Sequence, residues 1–299
     1  VAEWLHALDP PRGVTVHAAS DPEEGARLAA GAAVMYGWKV PPEVLARASR
    51  LRWAQVMGAG VERFLVPEVP SRVVITRAPI FGEWMSEYVI GWCLSLSQRM
   101  ETYRAAQRDR RWIQEIEPEP LRGRTMTVVG LGDIGRALAR VAHAIGLRVL
   151  GVSRRARKVP HVERVYPTSA LARALAAADI AVLAVPLTPS TQGLVGAREL
   201  AAMKRTAWLV NVARGAVVDE TALIDALKGQ RLAAAILDVF EEEPLPAASS
   251  LWSLPNVIVT PHISGPSKAD EITAVFNDNL RRYVRGQPLR HVVDRKRGY

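Results

Sequence analysis

An arginine, a glutamate and a histidine stand just beyond three successive apolar runs. Arg214 lies in Asn211-Val-Ala-Arg214-Gly215, after the run 207–211. Glu243 lies in Leu237-Asp238-Val-Phe-Glu-Glu-Glu243-Pro244, after the run 234–239. His262 lies in Pro261-His262-Ile-Ser-Gly265, after the run 257–260. A guanidinium binds a carboxylate through a planar fork and polarises a carbonyl beside it. An imidazole exchanges a proton near neutral pH. A carboxylate next to that ring orients it and favours its charged form. Singly, each residue has a plain reading. Arg214 before a glycine suits a helix cap, and His262 after a proline suits a loop. Glu243 is one of three consecutive glutamates, with Glu241 and Glu242. Jointly, beyond three strands of a parallel sheet, they converge at the carboxyl ends, where such sheets bind ligands.

A glycine pattern earlier in the chain supplies what that trio lacks. Gly130-Leu-Gly132-Asp133-Ile134-Gly135 follows an apolar strand and opens a helix. The first glycine allows a tight turn, the second lets a pyrophosphate approach, and the third lets helix and strand pack closely. The helix N-terminus then offers free N–H groups to phosphates. The next strand, 149–152, ends in Ser153-Arg154-Arg155, with Arg157 and Lys158 close behind and no acidic residue. A carboxylate there would bond a ribose 2′-hydroxyl, whereas a hydroxyl and guanidinium groups suit a 2′-phosphate. The expected cofactor is therefore NADP(H). The expected chemistry is hydride transfer to a 2-oxo acid. Arg214 would anchor carboxylate and carbonyl, His262 would donate the proton, and Glu243 would tune the imidazole.

The elements that must position these residues suggest two domains. The chain has 299 residues, too many for one ordinary core. Hydrophobic residues make up 49% and charged residues 23%, which is globular composition. No apolar run nears the roughly 20 residues of a bilayer span, and 1–8 lacks the pattern of a signal peptide. Cys93 is the lone cysteine, so no intrachain disulfide is expected, and the expected location is cytoplasmic. The net charge is +9, but few of the 39 basic residues are lysine and they form no stripe. Composition bias explains most of that charge, and nucleic acid is not an expected partner. No His, Cys or Asp cluster has metal-ligand spacing, so no metal is expected.

Strand and helix patterns alternate along the chain. In the first third, strands are expected at 14–16, 32–36, 52–57 and 72–76. Helices are expected at 3–8, 22–30 (Asp21 as N-cap) and 42–48. A strand should precede the helix at 3–8, and its absence suggests that it is missing from the sequence. A long helix is expected over 83–112 and a Pro/Glu-rich linker over 115–122. A second series follows. Its strands are expected at 127–129, 148–152, 180–185, 207–211, 234–239 and 257–260. Its helices are expected at 134–145, 169–177, 197–203 and 220–228, and a last helix at 267–284.

These segments together resemble the D-isomer-specific 2-hydroxyacid dehydrogenase family along essentially the whole chain. Within it, Ser153–Lys158 and Val293–Tyr299 are similar to the branch acting on glyoxylate and hydroxypyruvate. The resemblance implies an α/β fold of two doubly wound parallel-sheet domains. A Rossmann dinucleotide-binding domain, 94–265, would be inserted into a flavodoxin-like substrate domain, 1–93 and 266–299. It places the family's catalytic residues on Arg214, Glu243 and His262. It places Asp238 on the nicotinamide carboxamide, and Val185, Pro186 and Ala213 along the cofactor. Gly58-Ala59-Gly60 resembles the loop whose N–H groups hold the substrate carboxylate. By its residues alone that loop is a plain strand-to-helix turn. Trp38 either walls the pocket or sits in the core. The resemblance also implies a homodimer formed through the dinucleotide domains. Two other readings stay open: reduction of a bulkier 2-oxo acid such as phenylpyruvate, and a dinucleotide-sensing corepressor or scaffold.

Overall fold

The computed structural model describes residues 2–299. Contacts divide the chain into two units. One holds the residues up to Phe81 together with Pro266–Tyr299, and the other holds Gly82–Gly265. The expected junction at 93/94 would have cut a helix in two. That helix, described below as α4, lies wholly in the second unit.

The first unit begins with α1 (Ala2–His6), α2 (Pro22–Ala29), β1 (Val34–Gly37), α3 (Pro42–Arg47), β2 (Trp53–Val56) and β3 (Val74–Thr76). Its strands are parallel, in the order β1-β2-β3. Helix α2 starts as its sequence suggests. Asp21 accepts the N–H of Glu24 at 2.9 Å, and Pro22 takes the first helical position, where no amide donor is needed. Leu51, Phe64 and Ile75 are buried in the main core of this unit. Trp53 is buried in a separate cluster with Phe276, with ring centroids 5.2 Å apart. The strand expected at 14–16 does not form. The Val14 N–H bonds Pro11 O in a turn that Gly13 permits at φ +87°, and Val14 packs against the cluster of Trp53, Phe276 and Leu280 instead.

The second unit opens with α4 (Gly82–Ser97) and α5 (Met100–Arg108). The long helix expected over 83–112 is thus two helices. Arg99 takes a left-handed φ of 53° between them, a break that neither glycine nor proline announces. The unit continues with β4 (Thr125–Val129), α6 (Asp133–Ala144), β5 (Arg148–Val152), β6 (Arg164–Tyr166), α7 (Leu171–Ala176), β7 (Ile180–Leu183), α8 (Ala197–Ala202), β8 (Trp208–Asn211), α9 (Glu220–Lys228), β9 (Ala234–Leu237) and β10 (Val257–Val259). The chain then returns to the first unit as α10 (Ala269–Val284).

The seven strands of the second unit are all parallel, in the order β10-β9-β8-β7-β4-β5-β6. The central strands are buried on both faces, as helices covering a parallel sheet require. The order reverses between β4 and β7, which is the switch point of a doubly wound sheet. No helix among the described residues is long and apolar enough to cross a membrane.

Candidate active site

The glycine turn sits between β4 and α6, beside the switch point. A side chain at Gly130 would meet Ala184 O at 2.4 Å, and the residue has φ +102°. A side chain at Gly135 would meet Gly130 O at 1.9 Å. Both positions therefore demand glycine. Gly132 differs, because a Cβ there would face open space, with no atom within 4 Å. That gap lies at the N-cap of α6, where no side chain caps the first N–H groups. The cradle fits a pyrophosphate: open room, a helix start that its N-cap residue does not cap, and a positive helix end. Asp133 and Ile134 form the first turn of α6, and Val185 abuts the glycine turn. Beyond β5, Ser153 is half-buried and Arg154, Arg155, Arg157 and Lys158 are exposed.

Residues beyond β8, β9 and β10, three neighbours in the sheet, form the second half of the site. After β8, Asn211 folds the chain back on itself. Its side chain accepts Ala213 N–H and donates to Arg214 O, both at 3.1 Å. Arg214 is half-buried, and its guanidinium donates to Ala213 O at 2.7 Å. Gly215 is required because a Cβ would lie 1.8 Å from the Phe240 carbonyl carbon. The turns after β8 and β9 therefore touch backbone to backbone.

After β9, Asp238 is fully buried and Glu243 returns to the surface. Glu243 accepts Phe240 N–H at 3.2 Å through Oε1, and its Oε2 lies 2.8 Å from His262 Nδ1. The structure therefore selects Glu243 from its trio. The Glu241 carboxylate instead accepts the Glu220 N–H at 3.5 Å, and the Glu220 carboxylate accepts the Glu241 N–H at 3.2 Å. With Nδ1 turned to a carboxylate, Nε2 is the nitrogen left for a substrate. His262 itself has φ +55°, a region that costs a non-glycine residue roughly 1–2 kcal/mol. Its N–H bonds Asp238 O at 2.9 Å. Thr260, which carries no sequence motif of its own, donates its hydroxyl to Asp238 at 2.6 Å, and the Tyr88 hydroxyl lies 2.6 Å from Thr260 Oγ1.

In the first unit, Gly58, Ala59 and Gly60 follow the carboxyl end of β2 and precede a 3-10 turn, Glu62–Phe64. Trp38 follows the end of the neighbouring strand β1 and is 42% exposed, so it is not a core residue. Its indole comes within 3.8 Å of where a Gly58 side chain would lie. Among the described residues no group of three or more His, Cys, Asp or Glu is placed to hold a metal ion.

A switch-point glycine cradle with charged residues beyond three adjacent strands defines a dinucleotide-binding α/β protein. Residues 90–264 match the model of the D-isomer specific 2-hydroxyacid dehydrogenase NAD binding domain. Glyoxylate/hydroxypyruvate reductase A of Photorhabdus laumondii is 32% identical over 270 residues, 88% of this chain and 86% of that protein. A D-isomer specific 2-hydroxyacid dehydrogenase from Xanthobacter autotrophicus Py2, solved with NADPH and MES, superposes with a TM-score of 0.85. It is 36% identical, covering 100% of this chain and 96% of that one. An NADPH-dependent glyoxylate/hydroxypyruvate reductase from Sinorhizobium meliloti, solved with NADP and sulfate, gives 0.84 at 32% identity, covering 90% and 87%. The chain belongs to the D-isomer specific 2-hydroxyacid dehydrogenase family.

Proposed function

We propose that the protein reduces a small 2-oxo acid, of the glyoxylate or hydroxypyruvate kind, to the D-2-hydroxy acid with NADPH. The observation that carries this reading is the His262–Glu243 pair, beyond the same sheet edge as Arg214. NADPH supplies the hydride when bound. Gly130, Gly132 and Gly135 admit its pyrophosphate, with the first turn of α6 (Asp133, Ile134) at the phosphates. Ser153, Arg154 and Arg155 would receive its 2′-phosphate. Val185, Pro186, Ala213 and Asp238 would hold its nicotinamide half.

Arg214 holds the substrate carboxylate and polarises the carbonyl. By family resemblance, the loop Gly58-Ala59-Gly60 would offer backbone N–H donors to a substrate carboxylate. His262 would give a proton from Nε2 to the carbonyl oxygen. Glu243 holds Nδ1, so the ring keeps one orientation through the cycle. The substrate loop then belongs to the first unit and the cofactor to the second. Relatives named for glyoxylate and hydroxypyruvate, and neighbours solved with NADP or NADPH, support this reading.

We further infer a homodimer through the second unit, in the cytoplasm. The exposure of Leu94, Met100 and Trp112 supports the dimer, the last being 88% exposed. Light scattering on the eluting protein checks it, and a monomer across micromolar concentrations would rule it out. The function is tested by following NADPH and NADH oxidation with glyoxylate, hydroxypyruvate, pyruvate and phenylpyruvate. Turnover should be highest with the two small acids and NADPH. A preference for phenylpyruvate would assign a bulkier substrate. Binding of NADPH with no turnover of any acid would assign a sensor or scaffold.

A further inference from the structure

Asp238 does more than face a cofactor. Its Oδ1 accepts the Thr260 hydroxyl at 2.6 Å and the Ile263 N–H at 2.9 Å. Its Oδ2 accepts the Ser264 N–H at 2.9 Å. Its backbone carbonyl accepts the His262 N–H at 2.9 Å. Every one of these donors lies in 260–264, on either side of His262. A buried carboxylate thus grips the segment that carries the proton donor, where that residue is held in a left-handed conformation. One lone pair of Oδ2 stays open for a further donor.

The grip extends one residue further. Thr260 has a single hydroxyl proton and gives it to Asp238. The Tyr88 hydroxyl, 2.6 Å from Thr260 Oγ1, must then donate to Thr260. Burial of Tyr88 raises its pKa well above the usual phenol range, so that proton stays in place at working pH. Trp92, one turn along α4, packs edge-on to the Tyr88 ring, with centroids 6.4 Å apart. The chain of donors runs in one direction, from α4 through Thr260 to the carboxylate.

We infer that Tyr88, acting through Thr260 and Asp238, is a positioning residue for His262. It fixes the Thr260 hydroxyl, which fixes the Asp238 carboxylate and so the aim of the imidazole. This rests on His262 being the proton donor, as proposed above.

The test uses the full chain with Tyr88→Phe, Thr260→Val, Thr260→Ser and the double variant Tyr88→Phe/Thr260→Val. Tyr88→Phe and Thr260→Val should each lower kcat about threefold to tenfold, the loss of one buried hydrogen bond. KM for the 2-oxo acid and Kd for NADPH should stay within about twofold, because neither side chain is assigned a contact with either molecule. The double variant should be no slower than Thr260→Val alone, since both break the same chain. Thr260→Ser keeps the hydroxyl and should restore kcat.

A second readout needs no cofactor or turnover. The His262 imidazole signal in ¹H–¹⁵N spectra, assigned by its loss in His262→Asn, should be single in wild type and Thr260→Ser. It should broaden or split in the other variants. Wild-type kcat and an unchanged His262 signal in Tyr88→Phe would overturn the inference. So would additive losses in the double variant, or no rescue by serine. If the wild type reduces no 2-oxo acid, the proposed activity falls, while the imidazole spectra still decide whether Tyr88 positions His262.

Discussion

Two glycine-bearing turns follow parallel strands in this protein, and they are built on opposite terms. In the turn at 130–135, backbone closes on backbone. Side chains at Gly130 and Gly135 would sit 2.4 and 1.9 Å from carbonyl oxygens. In the loop at 58–60, a side chain at Gly58 would meet nothing nearer than 3.8 Å, which is ordinary contact. The first turn needs glycine in order to fold. Gly58 could carry a methyl group without strain, so its bareness serves whatever approaches the loop. Stability and ligand access are thus joined at the cofactor turn and separable at the substrate loop.

Four substitutions sharpen or break this contrast, and the largest effect belongs to the crowded turn. Gly135→Ala should lower stability by at least ~3 kcal/mol, because backbone cannot yield as a flexible side chain does. The thermal midpoint should fall by roughly 10 °C, with NADPH binding lost. A wild-type midpoint would mean the packing of β4 against α6 is looser than it looks. Next is His262→Asn, which removes the proposed proton donor and leaves the fold alone. Its kcat/KM should drop about 10³-fold, with NADPH affinity and midpoint unchanged. Retained turnover would place the acid elsewhere.

Arg154→Asp acts on the cofactor side without touching the crowded turn. Wild type should prefer NADPH over NADH by at least about tenfold, and the variant should lose or reverse that preference. Equal use of both cofactors by wild type would remove the 2′-phosphate assignment. Gly58→Ala should be the mildest. Its midpoint should match wild type, while KM for the 2-oxo acid rises about threefold as one N–H contact is held off. A large fall in midpoint would show that the two turns are alike after all.

The same contrast governs what was legible in the sequence. Steric necessity leaves a signature, so the turn at 130–135 was readable from its residues. The loop at 58–60 became meaningful only through family resemblance, because nothing local requires Gly58. Arg214, Glu243 and His262 were readable as a set because each follows a strand of the same sheet. That Glu243 meets the imidazole was expected from the set and the family resemblance, since by itself it differs from Glu241 and Glu242 only in where the chain points it. Strand β6 escaped notice because Arg164-Val-Tyr166 is a short edge strand with no long apolar run. The break at Arg99 escaped because arginine is a good helix former. Tyr88, Thr260 and Asp238 are distant in sequence, and hydroxyl groups are too common to mark a relay.

The strand that delivers His262 is the last of its sheet. β10 has a single neighbour, β9, and its three residues are only half-buried. Small cooperative openings draw on such margins before the interior yields. Warming should therefore detach His262 from Glu243 while the sheet behind it stays whole. Activity should fade at a lower temperature than the far-ultraviolet circular dichroism signal. Amide exchange over 257–264 should outpace that of β4, β7, β8 and β9. The enzyme would then have a reversible thermal off-state set by the fraying of one margin, several degrees short of denaturation.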